Sequence, residues 1–257
     1  MPEAAQPIRR HMELVWIGFT LFSVVSTAVG LRLVSLWWRT RELPELLIGL
    51  GVLGIGPVGF GLLTLGIALG DAGHPAAAPV AALGSAACTA GALAKYVFNW
   101  RVYHPSRGYV AIAVALICAT SLALSLVHML GHGFPHGREH PDWYLGRGVL
   151  QVGCLLWGAA EALAYSRRMR KRVALGIADP LVANRFLLWG IAAAAAGFGT
   201  LVGLCAFSVM REAAMLEPWV LASSSAHGVV AALAMGLAFF PPRAYRAHFE
   251  QRSTRRA

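Results

Sequence analysis

Short loops divide this chain into seven long apolar stretches, and little of its length is left over. The stretches run roughly Glu13 to Trp38, Pro44 to Gly70, Ala76 to Trp100, Gly108 to Gly131, Trp143 to Tyr165, Pro180 to Met210 and Leu216 to Phe240. A helix rises about 1.5 Å per residue, so about 20 apolar residues cross a hydrocarbon layer about 30 Å thick. Every stretch meets that length, and lipid is the solvent this chain is written for. The expected fold is all-α: a polytopic membrane protein with a seven-transmembrane-helix bundle as its single integral membrane domain, followed by a short basic tail over residues 241–257. Composition supports this, since hydrophobic residues make up 57% and charged residues 13%, against about 25% charged in soluble domains.

The net charge of +10 does not describe a nucleic-acid binder. The basic residues gather at helix ends rather than along a groove interleaved with aromatics. Seventeen of the 22 Lys and Arg fall on one side of the expected bundle, among them the run Arg167-Arg168-Met169-Arg170-Lys171-Arg172. Arg9, Arg10, Arg138, Arg147 and Arg211 fall on the other. The positive-inside rule then puts the N-terminus outside and the C-terminus in the cytoplasm, in a bacterial-type inner membrane. Trp37, Trp38, Tyr103, Trp143 and Tyr144 stand where interfacial anchors belong. The first stretch is longer than the apolar core of a cleavable signal peptide. Cys88, Cys118, Cys154 and Cys205 all fall within the stretches, so loop disulfides are not expected.

Several local signals add detail. Asp179-Pro180 reads as an N-cap with proline at the first helical position. Pro241-Pro242 stops the last span, and Tyr245 and Phe249, four apart in the basic tail, suggest an amphipathic helix on the membrane surface. The second stretch carries eight glycines around Pro57, which predicts close packing, a kink or a hinge.

Ionisable and polar groups at membrane depth are costly and mark the candidate site. His227, directly after Ser223, Ser224 and Ser225, lies mid-span in the seventh stretch; Gln151 and Glu161 lie in the fifth. These are the expected ligand-binding residues, although Glu161 is also placed to snorkel toward Arg167 or Arg168, as Arg32 and Lys95 are toward their interface. His128, His132, His136 and His140 recur every four residues at the outer end of the fourth stretch. On one helical face they would suit a divalent metal such as zinc, but Gly131, Gly133, Pro135 and Gly137 should end the helix near His132. A haem between His227 and His128 is a further possibility, weakened by their different depths.

Seven helices, an outside N-terminus, an inside C-terminus and a short basic amphipathic tail resemble the layout of G-protein-coupled receptors and rhodopsins. The resemblance is of topology. Asn99-Trp100-Arg101-Val102-Tyr103 stands where receptors carry an acidic-Arg-Tyr triplet, and Phe239-Phe240-Pro241-Pro242 where they carry Asn-Pro-x-x-Tyr. The seventh stretch has no lysine for a retinal Schiff base. It therefore implies no functional residue.

The function expected on these grounds is a receptor-like sensor or binding protein, holding a small apolar or amphipathic ligand in an outer-half pocket lined by helices four to seven, with membrane lipids as its other partner. The alternatives are a transporter or divalent-metal handler, and a membrane-embedded haem protein or enzyme. The sparse intramembrane His and Glu fall short of the clustered His, Asp and Ser of a membrane hydrolase.

Overall fold

The computed structural model describes residues 6–254; Arg255 and Arg256 of the basic tail lie outside the described residues. All regular structure among these is helical. The elements are α1 (Gln6–Thr40), α2 (Leu43–Leu53), α3 (Gly61–Asp71), α4 (Ala77–Tyr103), α5 (Gly108–Gly131), α6 (Pro141–Ala174), α7 (Pro180–Met210), α8 (Pro218–Phe239) and α9 (Arg243–Thr254). A π-helical turn at Gly54–Phe60 joins α2 to α3, so these two count as one span, and seven spans are long and apolar enough to cross a membrane. The chain is a multi-pass integral membrane protein. One end of the bundle carries the 41–42, 104–107 and 175–179 links and α9, and is called the basic face below. The other carries the 72–76 and 132–140 links and the short 3₁₀ segment Arg211–Leu216, and is called the histidine face.

Six spans close a ring in the order α1, α2/α3, α4, α6, α7, α8 and back to α1. The fifth helix lies outside it, against α4. Half of the most apolar 18 residues of α4 are buried, against 6% of those of α5. Hydrophobicity does not drive helices together in lipid, so small residues that allow close approach decide which spans touch. The ring follows that rule. A Cβ on Gly91 would stand 2.7 Å from the backbone nitrogen of Ile55, and one on Gly54 2.6 Å from the Ala87 carbonyl. Elsewhere Val29 and Leu33 of α1 meet Ala192 of α7 and Ala234 and Met235 of α8.

Pro57 has no N–H to donate and its ring crowds the preceding turn. The backbone widens into the π-turn, with Gly56 at φ −85°, ψ −112°, outside the helical region. The glycine-rich second span is therefore a broken helix.

Local signals at the helix ends hold. Asp179 accepts a 2.7 Å bond from the Leu181 N–H ahead of Pro180, and α8 stops before Pro241-Pro242. In α9 the Tyr245 and Phe249 rings lie 5.2 Å apart. One boundary is corrected. The helix expected to end at Tyr165 runs on to Ala174, because Arg, Lys and Met are good helix formers and cations suit a helix C-terminus.

Candidate functional site

On α6, Arg147, Gln151, Cys154, Gly158 and Glu161 are spaced four, three, four and three apart, which puts them on one helical face. On α4, Ser85, Cys88, Ala92, Lys95, Tyr96 and Asn99 follow the same period. These two faces meet inside the ring. From Arg147 to Glu161 the seam covers about 21 Å at ~1.5 Å per residue, most of the hydrocarbon thickness. Small residues let the faces close: a Cβ on Gly158 would lie 3.2 Å from Asn99 Oδ1, and one on Gly153 would collide with the Tyr96 hydroxyl.

The histidine-face end of the seam is a closed ion pair. Arg147 donates from Nε to Glu139 Oε1 at 2.9 Å and from Nη2 to Oε2 at 2.5 Å, and the side chains are 4% and 6% exposed. Two parallel charge-assisted bonds satisfy the guanidinium where no water reaches it. Glu139 comes from the 132–140 link, which is folded down onto α3. There Gly137 (φ 71°) lies so near the Gly66 carbonyl that a side chain has no room, and Arg138 bonds Asp71 at 2.9 Å.

The Arg147 guanidinium lies 5.7 Å over the Tyr144 ring, and beside the pair, at the same end of the bundle, sits an aromatic cluster that forms a histidine lid. His128 is stacked between His132 (5.8 Å) and Trp143 (5.4 Å), with the Phe134 edge at 5.1 Å. His132 also meets His140 at 4.4 Å. Trp143, expected to be an interfacial anchor, instead donates its indole N–H to Ser85 Oγ at 3.0 Å; a buried indole takes the partner the seam offers. His136, at φ 50°, is exposed and outside the lid. Among the described residues no three His, Cys, Asp or Glu side chains converge as ligands for a metal ion. Helix α5 ends at Gly131, as its glycines and prolines require, and leaves the four histidines off any common face.

Deeper in the seam, the buried Cys88 thiol lies beside Gln151. Among the described residues no hydrogen-bond acceptor meets the buried Gln151 Nε2. Asn99 Nδ2 donates to the Cys154 carbonyl at 3.2 Å. Next to it a cavity of about 10 Å³ is lined by Ile48, Lys95, Asn99, Cys154, Gly158 and Trp189, among others. It is large enough for one water molecule. Lys95 does not snorkel to the interface: its ammonium lies 5.6 Å over the Trp189 ring, and no carboxylate among the described residues pairs with it. Ile48 of α2 and Trp189 and Ala193 of α7 complete the wall of this cavity.

At the basic-face end, Glu161 Oε1 meets His104 Nε2 at 2.6 Å and accepts from Trp157 Nε1 at 3.3 Å, with His104 stacked on Trp157. Glu161 therefore bonds His104, just past the end of α4, and Trp157 of its own helix rather than Arg167 or Arg168.

The remaining expected residues lie on the other side of the ring. His227 Nδ1 donates to the Ser223 carbonyl at 2.7 Å, a bond within α8. Its Cβ lies against Gly199 of α7, and Ser225 lies against Gly18 of α1, while Ser224 is exposed. Neither this group nor His128 lines the cavity at Lys95, and His227 and His128 stand in separate neighbourhoods. Of the expected residues, the structure joins Gln151 and Glu161 in one seam. Sequence reasoning missed Arg147, Lys95, Asn99, Tyr96 and His104. The period of Arg147, Gln151, Cys154 and Glu161 was the signal that would have found the seam. Against known proteins the chain stands apart: no family model, no curated protein and no solved structure matches it.

Proposed function

We propose that the protein is a transporter that moves protons, alone or coupled to a small solute, along the α4–α6 seam, with the basic face toward the cytoplasm of a bacterial-type cell. The observation that carries this reading is the seam: ionisable and hydrogen-bonding side chains follow one another for about 21 Å through a bundle built mostly of apolar and small residues. Chains of such groups inside a membrane mark ion paths and proton relays. Lys95, which no carboxylate among the described residues neutralises, is the group that takes up and releases the proton midway. A space sized for one water suits a proton and is too small for a ligand of drug size. The broken α2/α3 span beside α4 supports the reading, since interrupted helices in membranes are tolerated where they line a working path.

A ligand-binding sensor would draw its support from His227 and Ser223, whose polar atoms are half-buried on α8. The bond from His227 to its own helix leaves the seam as the better-supported site.

The test is proton flux in proteoliposomes carrying a trapped pH dye, driven by a potassium diffusion potential. Wild-type protein is expected to acidify the lumen faster than protein-free vesicles, and Lys95→Met and Glu161→Gln to remove the difference. Wild-type flux equal to that of empty vesicles, or undiminished flux in Lys95→Met, would overturn the reading.

A further inference from the structure

A second cavity lies away from the seam, at the rim of the basic face. It has a volume of about 310 Å³ and is lined by Arg32 of α1, Arg185 of α7, Arg246 of α9 and the Phe239-Phe240-Pro241 segment that ends α8. Three arginines from three different helices line one space, and none has a carboxylate partner among the described residues. Like charges do not gather at one place without cause, since each raises the cost of the next.

Two contacts hold the arrangement. Arg32 Nη1 donates to the Phe239 carbonyl at 2.9 Å and its guanidinium lies 5.0 Å over the Phe240 ring. That fixes the group and leaves its other N–H donors free. Asn184 Nδ2 donates to the Tyr245 hydroxyl at 2.5 Å. Each partner is the immediate neighbour of an arginine of the site, so this one bond sets the spacing of Arg185 and Arg246.

We propose that this cavity binds the phosphate of an anionic phospholipid, with the three arginines on the phosphate oxygens and Phe240 and Pro241 against the glycerol and upper acyl chain. Arginine forks match phosphate geometry. The depth fits as well: α8 ends at Phe239 and α9 begins at Arg243, which is where headgroups meet hydrocarbon. Phe240 is 44% exposed, an apolar ring offered to an acyl chain at the edge of a cationic pocket. Basic pockets between helices on such a face are the usual way proteins recognise particular headgroups.

The measurement is native mass spectrometry of the full chain in phosphatidylcholine nanodiscs doped with phosphatidylglycerol, counting retained lipids as detergent is raised. Wild-type protein is expected to keep one phosphatidylglycerol, and affinity to fall about fivefold for each arginine removed, with Arg185→Gln/Arg246→Gln losing it. Tyr245→Phe, which keeps every charge and loosens α9, is expected to weaken retention, and Arg170→Gln, on the exposed end of α6, to leave it unchanged. Equal retention by wild type and the double variant would overturn the proposal. So would displacement of the lipid by inorganic phosphate with no preference for phosphatidylglycerol over phosphatidylcholine, which would make the anion a free phosphate. The readout is independent of proton flux, so either proposal can fail without the other.

Discussion

Arg147 and Lys95 are cations on facing helices of one seam, and the bundle treats them in opposite ways. Arg147 is locked to Glu139 by two bonds and lies over the Tyr144 ring. Lys95 has a cavity, an indole face and no counter-ion among the described residues. A buried pair is costly to break from one side because the survivor is left charged and unsolvated. An unpaired ammonium keeps its freedom to bind and to lose something. The first residue is therefore structural and the second is the one to test for work.

The largest effect should come from breaking the satisfied end. Arg147→Met leaves Glu139 buried alone and is expected to destabilise the fold by about 3–5 kcal/mol, read as loss of thermal midpoint in detergent. Adding Glu139→Gln should return much of that stability, and failure to do so would mean the lid, not the pair, needs the arginine. Next is Gly91→Ala, where the added methyl meets the α2 backbone at the π-turn; overpacking of this kind costs about 1–3 kcal/mol. Asn99→Ala removes one buried bond to the Cys154 carbonyl and should cost about 1 kcal/mol. Smallest in stability is Lys95→Met, an apolar replacement of similar reach, expected to change stability by less than about 1 kcal/mol while removing flux. A large loss of stability in Lys95→Met would erase the contrast with Arg147.

The spans were legible in the sequence because lipid imposes one simple demand, length of apolar run, on each of them separately. The caps at Asp179 and the stop at Pro241 were legible for the same reason: each is decided by residues a few positions apart. Pro57 announced a break, though not that the helix would widen into a π-turn. What the sequence hid was pairing between distant helices. Arg147 reads as one more basic residue on the sparsely charged side until Glu139 is seen to fold back eight positions onto it. Lys95 reads as a snorkelling residue until α2 and α7 are seen to wall it in. His227 looked prominent because it is mid-span, yet a carbonyl four residues away was enough to satisfy it.

The fifth span stands outside a ring that the other six close without it. It is also the helix whose end supplies His128 and His132 to the ring cluster on Trp143. A span tilts to match bilayer thickness in proportion to how little holds it, and α5 is held least. Thinning or thickening of the surrounding lipid is expected to move α5 before the ring, and through His128 to pull on Trp143 of α6, which makes α5 a lever worked from the lipid side.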